Sequence, residues 1–281
     1  MVSTDALLYR VAKRWIAGQN QLSLIIDAKR SNASGMTFMA NFLGEDIKDA
    51  ATADAHAKEY FELQNKISAN DLQGCVSVKL TQLGLGADEE WLPHRLELLI
   101  ANAERNDQFF WVDMESSAFT SKTLEIFEDA FARHPRIGIA VQAYLRRTDA
   151  DLKVLLDRGA HVRLVKGAYR EPQDLVFASR SEISESYSSL LEQLFERGEN
   201  FAVGTHDSKL IEEARRLAES SHANFEFQFL KGIRDDLKTD LVKSGYRVSE
   251  YLPYGDSWLA YSKRRLSEHP SNAWLLLRSL F

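Results

Sequence analysis

Cysteine, proline and glycine are scarce in this sequence, which has 1, 5 and 14 of them among 281 residues. Because Cys75 has no partner cysteine, no intramolecular disulfide can form, and we expect a reducing, cytoplasmic location. No tract rich in proline, glycine or serine divides the chain. We therefore expect a single domain over residues 1–281, with residues 1–32 as an N-terminal helical extension.

Long apolar runs and an excess of basic residues are also missing. No apolar run approaches the roughly 20 residues that cross a bilayer. Asp5, Arg10, Lys13 and Arg14 interrupt the apolar residues near the N-terminus, so this stretch does not resemble a secretory signal. The formal net charge of -6 gives no reason to expect nucleic acid as a partner.

The dominant pattern is an alternation of short apolar, β-branched runs with longer segments of helical spacing. Several of the helical segments begin at Ser, Thr or Asp and end at Gly or Asn, as capped helices do. The strand-like runs are MTFMANFLGE (36–45), GCVSVKLTQLG (74–84), FFWVDME (109–115), RIGIAVQAYL (136–145), HVRLVKGAY (161–169), NFAVGTH (200–206), NFEFQFLKG (224–232) and YRVSEYLPYG (246–255).

This alternation predicts an α/β protein with a parallel sheet. Eight strand-then-helix units in about 250 residues match the size of a closed (β/α)8, or TIM-like, barrel. The alternative is an open doubly wound sheet, which usually carries a G-x-G-x-x-G motif after its first strand. The sequence has no such motif, and the residues before the first strand predict one extra helix over residues 9–19.

Polar residues collect where the predicted strands end, which is the face of a barrel that carries the chemistry. A charge inside a packed strand is unfavourable unless it is paired, so these residues either satisfy one another or face a ligand. Their presence in nearly every strand favours a polar site. They are Glu45, Lys79, Asp113, Glu115, Gln142, Arg163, Lys166, Thr205, His206, Gln228 and Tyr251.

The fifth run combines Arg163 and Lys166 with the small pair Gly167 and Ala168. A guanidinium in mid-strand needs a carboxylate or another acceptor, and the small pair would let a flat ring lie against the backbone. Lys166 is either a lysine that extends to solvent at the rim or the nucleophile of a Schiff-base aldolase. His206 has no second His or Cys at ligand spacing, so we expect no metal.

After the last strand, Tyr261, Arg264, Arg265 and Glu268 fall at i, i+3, i+4 and i+7 and would share one helix face. Spacing alone leaves two interpretations open. In the first, the helix face is solvated, with a weak Arg265–Glu268 surface pair. Alternatively, the two guanidiniums hold a carboxylate or a phosphate, to which arginine donates paired hydrogen bonds.

At these residues the sequence resembles the proline dehydrogenase family, in particular its single-domain bacterial members. The resemblance runs from about Gly35 to the C-terminus, and its strength lies in the order of the motifs rather than in any one of them. The segments that carry it are NFLGE (41–45), SVKLTQLG (77–84), DME (113–115), QAYL (142–145), VRLVKGAY (162–169), THD (205–207), FEFQFL (225–230), YLPYG (251–255) and RRLSEHPSN (264–272).

The resemblance implies a distorted (β/α)8 barrel that holds FAD, with its eighth helix over the barrel mouth. It implies oxidation of L-proline to Δ1-pyrroline-5-carboxylate, the first step of proline catabolism to glutamate, with electrons passed to a membrane quinone. Such a flavoprotein would contact the inner face of the membrane peripherally, through either the N-terminal helix or WLLLRSLF (274–281). Oligomeric state and the choice between proline and hydroxyproline stay open.

The resemblance also implies a role for each site residue. Asp113 and Arg163 would be catalytic, with Arg163 near the reactive flavin nitrogen. The substrate would be bound by Lys79, Leu230, Tyr251, Arg264 and Arg265. The cofactor would be bound by Met114, Gln142, Arg163, Lys166, Gly167, Ala168, Arg180, Thr205, His206, Gln228 and Glu268.

Three positions depart from the family pattern. Lys231 stands where an aromatic residue is common, Gly204 replaces a common Ala, and Arg170 stands where larger fused members carry a Trp. A cofactor-free barrel that acts as a scaffold is a further alternative. Such a protein would have no reason to keep the charged residues of the strand ends together.

Overall fold

The computed structural model describes residues 8–10, 12–45, 47–259 and 261–262. Within these ranges the chain forms a closed barrel of parallel strands in sequential order, and the last strand pairs with the first. The predicted barrel is confirmed, and the open doubly wound sheet is wrong. The strands are β1 (Thr37–Phe42), β2 (Gly74–Lys79), β3 (Phe110–Asp113), β4 (Ile137–Gln142), β5 (His161–Val165), β6 (Asn200–Gly204), β7 (Asn224–Leu230) and β8 (Val248–Tyr254).

Helices lie between consecutive strands, as the alternation predicts. Local capping sets several of their starts: Asp49 accepts the Thr52 N–H at 2.8 Å, and Ser179 and Glu182 bond each other's backbone. The helices are α1 (Gln21–Ala33), α2 (Ala50–Ala69), α3 (Leu92–Arg105), α4 (Ser117–Phe131), α5 (Thr148–Asp157), α6 (Arg180–Arg197), α7 (Ser208–Ala218) and α8 (Asp235–Lys243), with a 3-10 helix at Leu80–Leu83.

The strands place opposite kinds of side chain on the two sides of the sheet. In β5, Val162 and Leu164 are fully buried in the apolar layer between strands and helices, whereas Arg163 points into the barrel. In β2, Val76 and Val78 join the same layer while Ser77 faces inward. The two-residue period of a strand therefore directs the charged residues of the sequence to the barrel interior.

The N-terminal region differs from its prediction. Helical residues occur at 8–10 and 12, but the longer helix is α1, which lies almost wholly within the predicted helical extension and beyond the predicted segment 9–19. The Asn20 side chain accepts the Ser23 N–H at 3.0 Å and starts this helix. Leu22 and Ile26 are exposed on it, so the apolar spacing that would reveal one buried face is blurred.

Helix α1 packs against β1 and β8, where the helix that follows β8 lies in a regular barrel. The chain after β8 takes another path: Trp258 and Tyr261 are buried in a cluster with Trp15, Ile16 and Leu43. This cluster lies at the carboxyl ends of the strands, and the predicted eighth helix beyond residue 262 lies outside the described residues. In the described ranges, no helix is long and apolar enough to span a membrane.

Candidate functional site

A cavity of about 770 Å³ opens at the carboxyl ends of the strands. Its volume lies within the range of about 300–1,000 Å³ that is typical of ligand sites. Arg264, Arg265 and Glu268 lie outside the described residues. The strand-end candidates Glu45 and Glu115 are not part of its lining. Every other residue to which the resemblance assigns a role lines the cavity: Lys79, Asp113, Met114, Gln142, Arg163, Lys166, Gly167, Ala168, Arg180, Thr205, His206, Gln228, Leu230 and Tyr251.

Asp113 is the hub of the cavity floor. Its Oδ1 accepts hydrogen bonds from Arg163 Nη1 and from Ser77 Oγ, both at 2.6 Å, and its Oδ2 accepts one from the Tyr251 hydroxyl at 2.7 Å. Lys79 Nζ lies 3.9 Å from the same Oδ2. Residues from β2, β3, β5 and β8 therefore meet at one carboxylate, as parallel strand ends allow.

These partners keep Asp113 ionised. Burial raises the pKa of its carboxyl, but the charges of Arg163 and Lys79 and the hydrogen bonds from Ser77 and Tyr251 together hold the pKa below its ordinary value. Burial, followed by the Asp113 charge, raises the pKa of Tyr251 well above its ordinary value. Tyr251 is therefore a neutral hydrogen-bond donor on the cavity wall.

Arg163 is held from several directions. Besides Asp113, its guanidinium donates to Ser77 Oγ at 3.1 Å and lies 4.5 Å from the centre of the Trp111 ring. Nη2 lies 3.1 Å from the sulfur of Met39. Because a flat cation stacked on an aromatic ring loses little freedom, the arginine is pre-organised before any ligand arrives.

Lys79 is loosely held by comparison. Within the described part of the chain, its Nζ contacts Asn41 Oδ1 at 3.4 Å and Asp113 Oδ2 at 3.9 Å, and its side chain is 12% exposed. Both distances are longer than those of charge-assisted hydrogen bonds, which are about 2.7–2.9 Å. An ammonium in this setting can bind an anionic ligand without first breaking a strong contact.

The cavity wall also contains buried polar atoms that lack a hydrogen-bond partner among the described residues: Gln142 Oε1, Gln228 Oε1 and Arg163 Nε. The amide of Gln142 is oriented by bonds from Nε2 to the carbonyls of Met114 and Glu115, and Gln228 Nε2 donates to Glu226 at 2.5 Å. Since buried polar groups are normally satisfied, these two acceptors and one donor indicate a polar ligand.

Beyond β5, the backbone at 166–168 forms a surface with few side chains. Gly167 has a φ of +103°, and a Cβ there would lie 2.1 Å from the Tyr144 ring, so glycine is required. Lys166 Nζ pairs with Asp207 at 2.8 Å. A paired ammonium is not the neutral amine that a Schiff base needs, which counts against the aldolase alternative.

The far end of the cavity combines His206, Thr205 and Arg180. His206 Nε2 accepts the Leu230 N–H at 3.0 Å, which leaves the ring proton on Nδ1. Arg180 is exposed at the first residue of α6, a position from which a guanidinium can reach a phosphate. The described residues include no group of His, Cys, Asp and Glu that could hold a metal, so nothing in them argues for one.

The departures from the family pattern at Lys231 and Gly204 have local explanations. Lys231 Nζ pairs with Asp27 of α1 at 3.1 Å, outside the cavity. At Gly204, which lines the cavity, a Cβ would lie 2.8 Å from the Val165 side chain. Nothing in the structure explains Arg170.

Several cavity residues were missing from the predicted site. Met39, Tyr169, Asp207 and Phe229 line the cavity, and Ser77 bonds Asp113 beneath it. The alternation of β2 places Ser77 on the same side as Lys79, so that pattern could have identified it. Met39 and Phe229 are apolar residues in apolar runs, and no sequence signal separates them from the core.

Known proteins resemble this chain over most of its length. The profile of the family described as proline dehydrogenase matches residues 25–276. Proline dehydrogenase 2 of Bacillus subtilis (strain 168) is 32% identical, over 96% of this chain and 93% of that protein. Proline dehydrogenase of Deinococcus radiodurans is also 32% identical, over 97% of this chain and 91% of its own length.

Solved structures show the same fold. Proline utilization A (PutA) from Bdellovibrio bacteriovorus, inactivated by N-propargylglycine, matches 92% of this chain with a TM-score of 0.85 and 26% identity. PutA from Bradyrhizobium japonicum matches with a TM-score of 0.77 and 24% identity, which supports the fold alone. This chain spans about a third of these longer chains, 32% and 30%. On the profile match and the near full-length relatives, the chain belongs to the proline dehydrogenase family of oxidoreductases.

Proposed function

We propose that this protein binds FAD and oxidises L-proline to Δ1-pyrroline-5-carboxylate. One observation carries the proposal: a single cavity combines a loosely held cation, Lys79, with polar atoms of Gln142, Gln228 and Arg163 that have no partner among the described residues. The first feature suits the carboxylate of a small amino acid. The second suits a larger polar ring system, so the cavity has room and contacts for both.

The substrate would lie over the Asp113 hub. Lys79 would bind the proline carboxylate together with Arg264 and Arg265, and Tyr251 and Leu230 would enclose the pyrrolidine ring. The Tyr251 hydroxyl is already committed to Asp113 at 2.7 Å, so its ring face is the part that can contact an apolar ligand. Fixing the carboxylate at one end sets where the ring carbon next to nitrogen lies.

FAD fits the remaining wall. Gln142 and Gln228 offer acceptors, Arg163 offers a donor, and the backbone at 166–168 leaves room for a flat ring. Met114, Thr205 and His206 would contact the cofactor, Arg180 would contact its phosphate portion, and Glu268 would lie close to the ring. When bound, FAD would supply the hydride acceptor that no amino-acid side chain provides.

The residues of the chain would do the positioning and the charge control. Asp113 neutralises Arg163 and fixes the Tyr251 ring, so both are held before substrate arrives. Proline must lose its ammonium proton before hydride leaves. Asp113 is poorly suited to accept that proton, because its two oxygens already accept three hydrogen bonds and its pKa is lowered. We assign the proton to water.

Electrons would pass from reduced flavin to a membrane quinone, with a peripheral membrane contact. The chemistry requires an external acceptor, because the two electrons removed from each proline must leave the protein before the next turnover. This part of the proposal rests on the family resemblance.

The visible absorption spectrum of the purified protein tests the proposal. We expect a flavin spectrum that bleaches on anaerobic addition of L-proline but not of D-proline, with a cyclic imine formed in equal amount. A short-chain quinone should restore the colour. A colourless protein would support the scaffold alternative, and covalent trapping by borohydride with substrate at Lys166 would support the aldolase. Either result contradicts the proposal.

A further inference from the structure

Glu115 is a buried carboxylate to which the proposed function gives no role. It is 2% exposed and lies two residues beyond Asp113. Its Oε1 accepts the Thr81 N–H at 3.0 Å, and its Oε2 accepts the Thr81 hydroxyl at 2.6 Å. Both oxygens are thus directed at one residue, and these hydrogen bonds must offset the unfavourable burial of the carboxylate.

The contacted residue lies two positions beyond Lys79. In the barrel, Lys79 and Asp113 are register partners in neighbouring strands. Glu115 and Thr81 continue this pairing past the strand ends, where the backbone hydrogen bonds of the sheet stop. The carboxylate therefore replaces the lost sheet contacts and holds the first turn after β2.

The same segment is held from the other side by Gln142. Its Nε2 donates to the carbonyls of Met114 at 3.0 Å and Glu115 at 3.2 Å. A continuous set of hydrogen bonds thus runs from β4, through residues 114 and 115, to Thr81. The amide on the proposed cofactor wall and the turn beside Lys79 share one support.

Lys79 depends on this support because its own side-chain contacts are weak. Its backbone N–H donates to Gln82 Oε1 at 3.2 Å, within the turn that Glu115 holds. Its ammonium is 3.4 Å from Asn41 and 3.9 Å from Asp113. The position of the ammonium is consequently set by the backbone of residues 79–82 more than by any partner of Nζ.

We infer that Glu115 is a positioning residue for substrate binding: through Thr81 it fixes the turn that carries Lys79 and so sets where the Lys79 ammonium meets the substrate carboxylate. The inference rests on the proposed role of Lys79. Its competitor is a purely structural cap, in which Glu115 stabilises the turn and Lys79 finds its place independently.

The protonation state of Glu115 bears on its contact with Thr81. Burial raises the pKa of its carboxyl to about 7, against the lowering effects of the Thr81 hydrogen bonds and of Lys79, and Glu45 raises it further. An anionic Glu115 accepts both Thr81 bonds, whereas a protonated one gives up an acceptor site. Glu115→Gln imitates the protonated form and keeps the volume, so it is the conservative test variant.

A double-mutant cycle separates the two interpretations. Michaelis constants and kcat for L-proline are measured for FAD-loaded wild type, Glu115→Gln, Lys79→Met and the double variant, with Glu192→Gln on the exposed face of α6 as control. We expect Glu115→Gln to raise KM about tenfold with little change in kcat, since the carboxylate contact that it weakens is made in the ground state and the transition state alike. In the Lys79→Met background, Glu115→Gln should add less than a twofold change.

Each outcome decides. An undiminished effect of Glu115→Gln in the Lys79→Met background, or no effect in wild type, overturns the inference and leaves the proposed function intact. An unchanged KM in Lys79→Met removes the substrate role of Lys79 and the inference with it. Should Glu115→Gln not fold, Thr81→Val takes its place in the double-mutant cycle, because it deletes the hydroxyl donor and keeps the N–H. Thr81→Ser keeps both donors and should have the wild-type KM.

Discussion

Replacing Lys79 by Met should damage substrate binding while leaving the fold almost untouched. The side chain is 12% exposed, and its ammonium lies 3.4 Å from Asn41 and 3.9 Å from Asp113. Neither contact is a strong hydrogen bond, so we expect the free energy of unfolding to change by less than about 1 kcal/mol. Asp113 keeps its closer partners Arg163, Ser77 and Tyr251.

The loss in substrate binding free energy should be larger than the loss in unfolding free energy. A hydrogen bond to a charged group contributes about 1.5–3 kcal/mol. Its loss corresponds to a fall of roughly 10- to 150-fold in kcat/KM, since each 1.4 kcal/mol is about tenfold. Because the carboxylate is bound in both the ground state and the transition state, most of the loss should appear in KM.

Steady-state kinetics with L-proline test the expected loss of substrate binding, and urea unfolding of the same preparations tests the expected small change in stability. Lys122→Met is the matched control, because Lys122 is partly exposed on α4 and forms a surface pair with Glu125. An unchanged KM in Lys79→Met would refute the carboxylate assignment. A loss of stability above about 2 kcal/mol would instead make Lys79 a structural partner of Asp113.

Three further predictions concern other parts of the chain. Arg264→Met or Arg265→Met should raise KM for proline steeply while the flavin absorbance stays; unchanged kinetics in both would reject the arginine clamp. Lys238→Met should lower the free energy of unfolding by about 3–5 kcal/mol, because Lys238 is 2% exposed and pairs with Glu250 at 2.5 Å. Adding Glu250→Gln should restore part of this loss in urea unfolding, and no recovery would contradict the view that an unpaired buried Glu250 causes it. Burial lowers the pKa of His134, but its contacts with Glu104 and Glu97 raise it more, so the net pKa is raised. The stability that these contacts add should be complete below pH about 6.5 and lost as pH rises through the folded pKa. His134→Gln should therefore lower the melting temperature more at pH 5.5 than at pH 9, and an equal effect at both would argue against the imidazolium bridge.

Much of the fold was predictable because it depends on local patterns. Apolar runs with a two-residue period and helical segments with caps predicted the barrel correctly. The bounds of helix α1 were not predicted within the helical extension, because exposed Leu22 and Ile26 give it no clear apolar face. Its position against β1 and β8 depends on long-range packing that local spacing does not encode.

The candidate site was predictable for a different reason. Carboxyl ends of parallel strands meet at one face, so Lys79, Asp113 and Arg163 had to come together once the barrel was inferred. Their pairing was not predictable from spacing. That Asp113 binds Arg163 at 2.6 Å while Lys79 stays 3.9 Å away depends on side-chain packing across the barrel.

The two cations, Arg163 and Lys79, differ in how far their charges are balanced by Asp113. Arg163 is neutralised by Asp113 and stacked on Trp111, so its charge is largely balanced before a ligand binds. Lys79 keeps an unbalanced charge at the same carboxylate, since Asp113 directs its oxygens at Arg163, Ser77 and Tyr251. A site that binds a zwitterion needs one cation free for the carboxylate and must avoid a second free anion that would bind the ammonium and turn the substrate around. On the proposed function, the hydrogen bonds that commit Asp113 to protein partners meet both needs, and Asp113 would organise charge rather than accept the substrate's proton.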